Sequence, residues 1–102
     1  KVKEVFVSED MAKYIVMLVT ATRQSSLFSR GASPRATLSL KDMAKAAAFA
    51  DGRDYIVPRD IQNIFVRTIS HRVILSSEST AKRINTDSAL KEILRTTRQP
   101  KI

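Results

Sequence analysis

The chain has 102 residues, of which 43% are hydrophobic and 27% charged, and it contains no cysteine. This length suits one domain with a single core, and the composition excludes a disordered chain. The lack of cysteine excludes disulfides, thiol nucleophiles and cysteine-ligated zinc, and no apolar run approaches the ~20 residues that span a bilayer. We therefore expect a folded cytoplasmic domain. Its net charge of +8 could favour nucleic-acid binding, but the 18 basic residues are dispersed along the sequence, which favours a solvated surface.

The first predicted element is an amphipathic helix over residues 9 to 23. Ser8 is a suitable N-cap, and the acids Glu9 and Asp10 favour the positive end of the helix dipole. Apolar residues then recur with helical spacing at Met11, Tyr14, Ile15, Leu18 and Val19. Thr22 takes the next position of this stripe, so the apolar face ends there.

A second helix is predicted from Ser33 and Pro34 onward. The Ser33 hydroxyl can cap the first turn, and Pro34 suits the first helical position because an amide there would have no partner. One helical stripe carries Leu40, Met43, Ala44, Ala47 and Ala48. Gly52 suits a left-handed C-terminal cap, so we expect this helix to end at the segment DGRD.

The third helix and the fourth have similar start signals. Pro58 and Asp60 place a proline at the first position and an acid in the first turn of a helix that ends near His71. Thr86 and Asp87 begin the last helix. The expected inward-facing residues are Ile61, Ile64, Phe65 and Ile69 in the third helix and Leu90, Ile93 and Leu94 in the fourth.

A short β element is also possible. The β-branched segment RVILS, residues 72 to 76, could pair with the segment VFV at residues 5 to 7. The sequence therefore predicts a mainly α fold, a small bundle of about four helices with a possible short two-stranded β element.

The chain carries no recognisable catalytic motif. It lacks the patterns GxxxxGK[ST], GxGxxG, HExxH and CxxC, which would hold phosphates or a metal ion. His71 is the one histidine, and at a helix C-terminus it more simply compensates the dipole than acts as a base or ligand. We expect no catalytic residue and no metal ligand here, and hence no enzyme activity from this chain alone.

The segment RGASPRA places Arg35 at about the second position of the second helix. A helix start has free amides and a partial positive charge, so an acid would stabilise it better than an arginine does. The arginine becomes favourable when an anion is present, and a guanidinium matches phosphate in two-point contact. From these features alone, Arg35 could bind phosphate, point to solvent or pair with a nearby acid.

Three segments in this order resemble the C-terminal lid domain of MoxR-type AAA+ ATPases. They are YIVMLVTATR at 14–23, RGASPRATLSLKDMAKAAAFADGRDYIVPRDI at 30–61 and HRVILS at 71–76. The lids of magnesium-chelatase ATPase subunits are a more distant match. The chain begins at Lys1 without an initiator methionine, so we expect residues 1–102 to be a single lid domain excised from a longer protein with an N-terminal nucleotide-binding domain.

The resemblance implies a role for individual residues. Arg35 corresponds to the sensor 2 arginine, which reaches the terminal phosphates of ATP from the lid, and Ser33 and Pro34 would set the helix start that aims it. Arg30 stands where the family more often has a small or apolar residue. It is either a second phosphate contact or a surface substitution without a function. Mg²⁺ and the catalytic groups would belong to the N-terminal domain.

The same resemblance implies further expectations around this site. Arg59 departs from the acid that is usual after the proline. Arg23 and Arg72 could contact phosphate or a neighbouring subunit, but we favour surface ion pairs for them. Tyr55 and Ile56 are expected to anchor the turn before the third helix in the core.

The implied partners are the chain's own N-terminal AAA+ domain, neighbouring subunits of a ring that we expect to be hexameric, and a protein with a von Willebrand factor A domain. The whole protein would couple its nucleotide state to the remodelling or assembly of partner proteins. Neither a membrane nor nucleic acid is an expected partner. Two alternatives remain: a stand-alone basic helical module that binds nucleic acid, and a histone-like interaction fold, which leaves GASPRA unexplained.

Overall fold

The computed structural model describes residues 4–98. Within them lie five α-helices and a two-stranded antiparallel sheet. In chain order these elements are α1 (Glu9–Gln24), β1 (Phe28–Arg30), α2 (Ala36–Ala50), α3 (Pro58–Ile69), β2 (Ile74–Leu75), α4 (Ser77–Ala81) and α5 (Thr86–Thr96), and a 3-10 turn (Ser70–Arg72) continues α3. The prediction of a mainly α fold with about four helices and a short two-stranded element is confirmed, and the five-residue helix α4 is an addition to it.

Helix α1 forms as its sequence predicts. The Ser8 hydroxyl accepts a hydrogen bond from the Met11 amide at 3.2 Å, and two acids follow in the first turn. The whole predicted apolar stripe is buried: Met11, Tyr14, Ile15, Leu18 and Val19. Thr22 continues this stripe and is also fully buried, so the buried face extends one turn further than the apolar residues do.

Helices α2 and α3 pack against each other at the centre of the core. Leu40, Ala44 and Ala48 are fully buried at four-residue spacing, and alanines at this contact let the two helices approach closely. Met43, which the helical spacing placed on the same stripe, does not share this burial and is 43% exposed. The reason is that one narrow i, i+4 row of α2 faces the core, and Met43 lies beside that row.

The predicted pairing of the second β segment was wrong. Strand β2 pairs antiparallel with β1, where Phe28 stands opposite Leu75 and Arg30 opposite Ile74. Residues 5 to 7 take a different partner, because Phe6 forms an isolated parallel bridge with Tyr55. The short segment 28–30 contains Ser29 and gives little strand signal, so only its tertiary position beside the exit of α3 reveals it.

Helices α4 and α5 complete the domain. Helix α5 begins at Thr86 as predicted, and Asn85 before it is the N-cap, whose side chain accepts from the Ser88 amide at 2.7 Å. Of the predicted inward residues of α5, Leu90 and Ile93 are buried and Leu94 is half-buried. Helix α4 is joined to the chain before β1, since its buried Ser79 hydroxyl donates to the Leu27 carbonyl at 2.9 Å. None of the helices among residues 4–98 is long and apolar enough to cross a membrane.

Candidate functional site

The segment that carries Arg35 is fixed at both ends by buried alanines. Ala32 and Ala36 are fully inaccessible to solvent, whereas Ser33, Pro34 and Arg35 between them are exposed. Because the two small alanine side chains pack against the core, the three residues between them project outward. The structure thus presents the Arg35 guanidinium at the surface, on a backbone held from both sides.

The start of α2 differs from the prediction. The Ser33 hydroxyl does not cap the helix; instead the Ser33 carbonyl accepts from the Ala36 amide at 2.9 Å, and a tight turn precedes the α-helix. The next amides are likewise bonded, Thr37 to the Pro34 carbonyl and Leu38 to the Arg35 carbonyl, both at 3.1 Å. These three amides are therefore satisfied internally, so the Arg35 side chain is the main anion-binding group that this turn offers.

The electrostatics at the start of α2 are unusual for this molecule. Each of the other α-helices among residues 4–98 has an acid in its first turn, whereas α2 has none and is preceded by Arg35. The Arg35 guanidinium forms no ion pair within the described part of the chain. The local charge is therefore an uncompensated cation beside the positive end of a helix dipole, which favours a bound anion.

Two contacts from α1 hold the chain just before this turn. The buried Thr22 hydroxyl donates to the Val19 carbonyl at 2.6 Å and accepts from the Ala32 amide at 3.0 Å. Gly31 lies against the backbone of α1, because a Cβ built on it would fall 2.5 Å from the Arg23 Cα atom. The backbone of Gly31 is not in the left-handed region, so close approach to α1 is the reason for a glycine here.

The other arginines of the predicted site have separate positions. Arg30 ends β1 and is exposed. Arg72 donates from Nη2 to the Ser39 hydroxyl at 3.0 Å, one helical turn after Arg35 on α2. Arg23 is exposed in the last turn of α1. The surface ion pairs favoured for Arg23 and Arg72 do not form within residues 4–98.

A second polar cluster joins α2 to α3. Arg53 donates two hydrogen bonds to the Asp60 carboxylate, at 2.6 and 2.7 Å, and also contacts Asp51. Asp60 in turn accepts from the Val57 amide at 2.9 Å, which completes the start of α3. Tyr55 was expected in the core, but it is 47% exposed and its ring stacks beside Arg53, with the guanidinium carbon 5.7 Å from the ring centre.

This cluster shifts the ionisation of both partners. Burial of Asp60 by itself would raise its pKa, but the hydrogen bonds from Arg53 and from the Val57 amide outweigh this and lower the pKa below its usual value. The hydrogen bond to Asp60 raises the pKa of the Arg53 guanidinium above its ordinary range. Both groups therefore stay charged at neutral pH. As predicted, Gly52 adopts the left-handed conformation (φ 78°) at the end of α2 and Ile56 is buried.

Sequence reasoning missed the roles of Thr22 and Arg53. A usable signal existed for each. Thr22 is a polar residue at the next position of a buried stripe, and a threonine there needs a hydrogen-bond partner. Arg53 lies between Asp51 and Asp60 in the sequence, so a basic residue flanked by acids pointed to an ion pair. Among residues 4–98, no group of three or more histidine or acidic side chains could hold a metal ion.

Comparison with known proteins assigns the chain to a family. The family model described as the AAA lid domain matches residues 20–93, and the chain belongs to this family. Within it, the chain resembles the C-terminal region of MoxR-family ATPases. It is 30% identical over 106 residues to the chaperone MoxR1 of Mycobacterium tuberculosis, a match that covers 95% of this chain and 28% of that protein.

Two further proteins are similar to nearly the whole chain. The protein YeaC of Bacillus subtilis is 33% identical over 100 residues, which covers 98% of this chain and 31% of YeaC. A crystal structure assigned as an ATPase from Cytophaga hutchinsonii superposes with a TM-score of 0.90 at 38% identity, over 98% of this chain and 33% of that one. The chain thus spans about a third of the length of these relatives.

Proposed function

We propose that this domain is the lid of a cytoplasmic, ring-forming AAA+ ATPase and that Arg35 is its sensor 2 residue. The observation that carries this proposal is the exposed Arg35, unpaired within residues 4–98, at the start of a helix whose first turn has no acid. In a lid-family fold, this is the place where a cation is free to meet a phosphate of ATP bound to another domain. The excised-domain expectation for residues 1–102 is part of the proposal.

The residues present fit a triphosphate. Arg35 offers a permanently charged, forked donor, and the tight turn from Ser33 and Pro34 fixes where its backbone lies. Negative charge develops on the phosphoryl oxygens during ATP hydrolysis, and Arg35 would stabilise it by hydrogen bonds. Mg²⁺ and the attacking water would be held by the N-terminal domain. Arg30, exposed at the end of β1, is a candidate for a second phosphate contact.

This arrangement also supports a coupling role. An arginine that binds the terminal phosphate while its backbone is anchored in the lid would make the position of the lid depend on the nucleotide state. The N-terminal AAA+ domain and the neighbouring subunits of the ring are proposed to respond to this change in lid position. Through them the change would reach a client such as a von Willebrand factor A domain protein. The expected outcome is remodelling or assembly of that client.

The proposal is tested by Arg35→Ala in the full-length ATPase. We expect ATP turnover to fall by about a hundredfold, the order seen when one preorganised donor to a developing charge is removed. The melting temperature should be nearly unchanged, because the Arg35 side chain is exposed and makes no ion pair within residues 4–98. Steady-state ATPase assays and thermal unfolding of the same preparations give the two measurements.

Arg67→Ala is the matched control. Arg67 is an exposed arginine in the last turn of α3 and, like Arg35, forms no ion pair within the described residues. Its replacement should leave turnover unchanged. Wild-type turnover in the Arg35→Ala protein would refute the sensor role, and an equal loss in both variants would attribute the effect to general charge.

A further inference from the structure

We infer that Thr22 is a positioning residue for Arg35, acting through the hydrogen bond between its hydroxyl and the Ala32 amide. This inference rests on the proposed sensor role of Arg35 and extends it to a residue on a different helix. Thr22 lies in the last two turns of α1, and its side chain is the polar link between α1 and the chain that leads into α2.

The Thr22 hydroxyl is buried, and it both donates and accepts a hydrogen bond. It donates to the Val19 carbonyl at 2.6 Å, which fixes the direction of its lone pairs, and it accepts from the Ala32 amide at 3.0 Å. Ala32 is itself inaccessible to solvent, so no water can replace this acceptor. Loss of the hydroxyl would leave a buried amide without a partner, and the chain would move to satisfy it.

The location of this hydrogen bond links it to Arg35. Ala32 is three residues before Arg35, and Gly31 beside it is already in van der Waals contact with the α1 backbone. The Arg35 backbone is therefore held in place by contacts with α1 on one side and by the buried Ala36 on the other. A small shift of Ala32 would tilt the exposed turn. Because the arginine side chain is long, this tilt would move the Arg35 guanidinium away from its binding position.

The test uses the full-length ATPase and four single variants with one double variant. Thr22→Val removes the hydroxyl at nearly constant shape, and Thr22→Ser retains it. Thr20→Val is the matched control, because Thr20 lies on the same helix and makes no side-chain hydrogen bond within residues 4–98. Arg35→Ala and the Thr22→Val/Arg35→Ala double variant complete a double-mutant cycle. kcat, KM and melting temperature are measured for each.

We expect Thr22→Val to lower kcat/KM by about threefold to tenfold, the effect of one buried hydrogen bond on a group that must be aligned. Thr22→Ser and Thr20→Val should resemble wild type. In the Arg35→Ala background, Thr22→Val should cause no further kinetic loss, although it lowers the melting temperature by the same amount in both backgrounds. A role in lid stability alone cannot produce this difference between the two readouts.

Each other outcome contradicts a specific step. Wild-type kinetics in Thr22→Val, or an equal additional loss in the double variant, would overturn the positioning role while leaving Arg35 as the sensor. Unchanged turnover in Arg35→Ala would instead refute the proposed function. If Thr22→Val does not fold, Thr22→Cys, whose thiol is a weaker acceptor, keeps the cycle measurable with a smaller expected loss.

Discussion

At the scale of single residues, the position of Gly31 requires a residue without a side chain, although its backbone conformation does not require glycine. A Cβ at this position would lie 2.5 Å from both the Cα and the amide nitrogen of Arg23, which are backbone atoms that cannot rotate away. We predict that Gly31→Ala lowers the free energy of unfolding by about 1–3 kcal/mol through this overpacking. Urea unfolding of the variant beside wild type measures the change.

Ser33→Ala is the control for that variant and tests the corrected helix start. The Ser33 hydroxyl does not cap α2, whereas a capping serine would contribute about 1 kcal/mol. We expect Ser33→Ala to change stability by less than about 0.5 kcal/mol. A loss near that of Gly31→Ala would restore Ser33 as a cap, and wild-type stability in Gly31→Ala would disprove the close packing on α1.

The same residues show what the sequence could predict of the site. The charge of Arg35 at a positive helix start made it a candidate phosphate contact, but the residues alone left solvent exposure and an ion pair open. Its sensor role comes from the resemblance and stays a prediction. The pattern could show that Thr22 needs a hydrogen-bond partner, but neither that partner nor the role of Gly31 could be predicted, since both depend on how the chain before α2 folds back on α1. Local propensity contains no information on that contact.

At the scale of elements, the connection between α2 and α3 is held by the ion pair of Arg53 and Asp60. Their side chains are 17% and 5% exposed, so water competes weakly for these hydrogen bonds. We predict that Asp60→Asn lowers the free energy of unfolding at pH 7 by about 2–3 kcal/mol, because Arg53 loses its buried carboxylate partner and keeps only the exposed Asp51. Asp87→Asn, an exposed acid in the first turn of α5, should cost less than about 1 kcal/mol.

The pH dependence of this effect has a defined sign. The pKa of Asp60 is lower in the folded state than in the unfolded chain, so the unfolded state binds more protons as the pH falls. The contribution of Asp60 is therefore complete above the unfolded pKa of about 3.9 and is lost as the pH falls through the folded value. The stability difference between wild type and Asp60→Asn should shrink below pH ~4. A difference that stays constant down to pH ~2 would contradict the pairing.

The elements themselves were predictable where the signal is local. Caps, first-turn acids and helical spacing located both ends of α1 and α3 and the start of α5 to within a residue or two. The partner of β2 could not be predicted, since the segment Phe28–Arg30 that pairs with it lies more than 40 residues earlier and has no strand pattern of its own. Strand pairing is set by tertiary position, and a two-residue strand has too few side chains to specify its partner.

At the scale of the whole molecule, the charge of +8 is distributed unlike a nucleic-acid footprint. Several basic side chains are paired with acids on the surface, such as Lys13 with Glu9 and Lys82 with Glu78. Among the described residues, Arg23, Arg30, Arg35 and Arg72 form no ion pair, and they belong to four different elements: α1, β1, the turn before α2 and the 3-10 turn after α3. A duplex-binding module needs a row of such groups along a groove.

This distribution predicts the outcome of a salt titration with duplex DNA. We expect filter binding to detect at most weak association at low salt and none near ~0.15 M, because a few phosphate contacts provide only a shallow dependence on salt. Arg35→Ala should then weaken the residual binding no more than Arg67→Ala does. Tight binding at ~0.15 M would contradict this expectation, and a slope reduced by about 1 in Arg35→Ala would assign Arg35 to DNA phosphate instead of ATP. The two anions are distinguishable because ATP binding by a sensor arginine requires the nucleotide domain, whereas DNA binding would be a property of this chain alone.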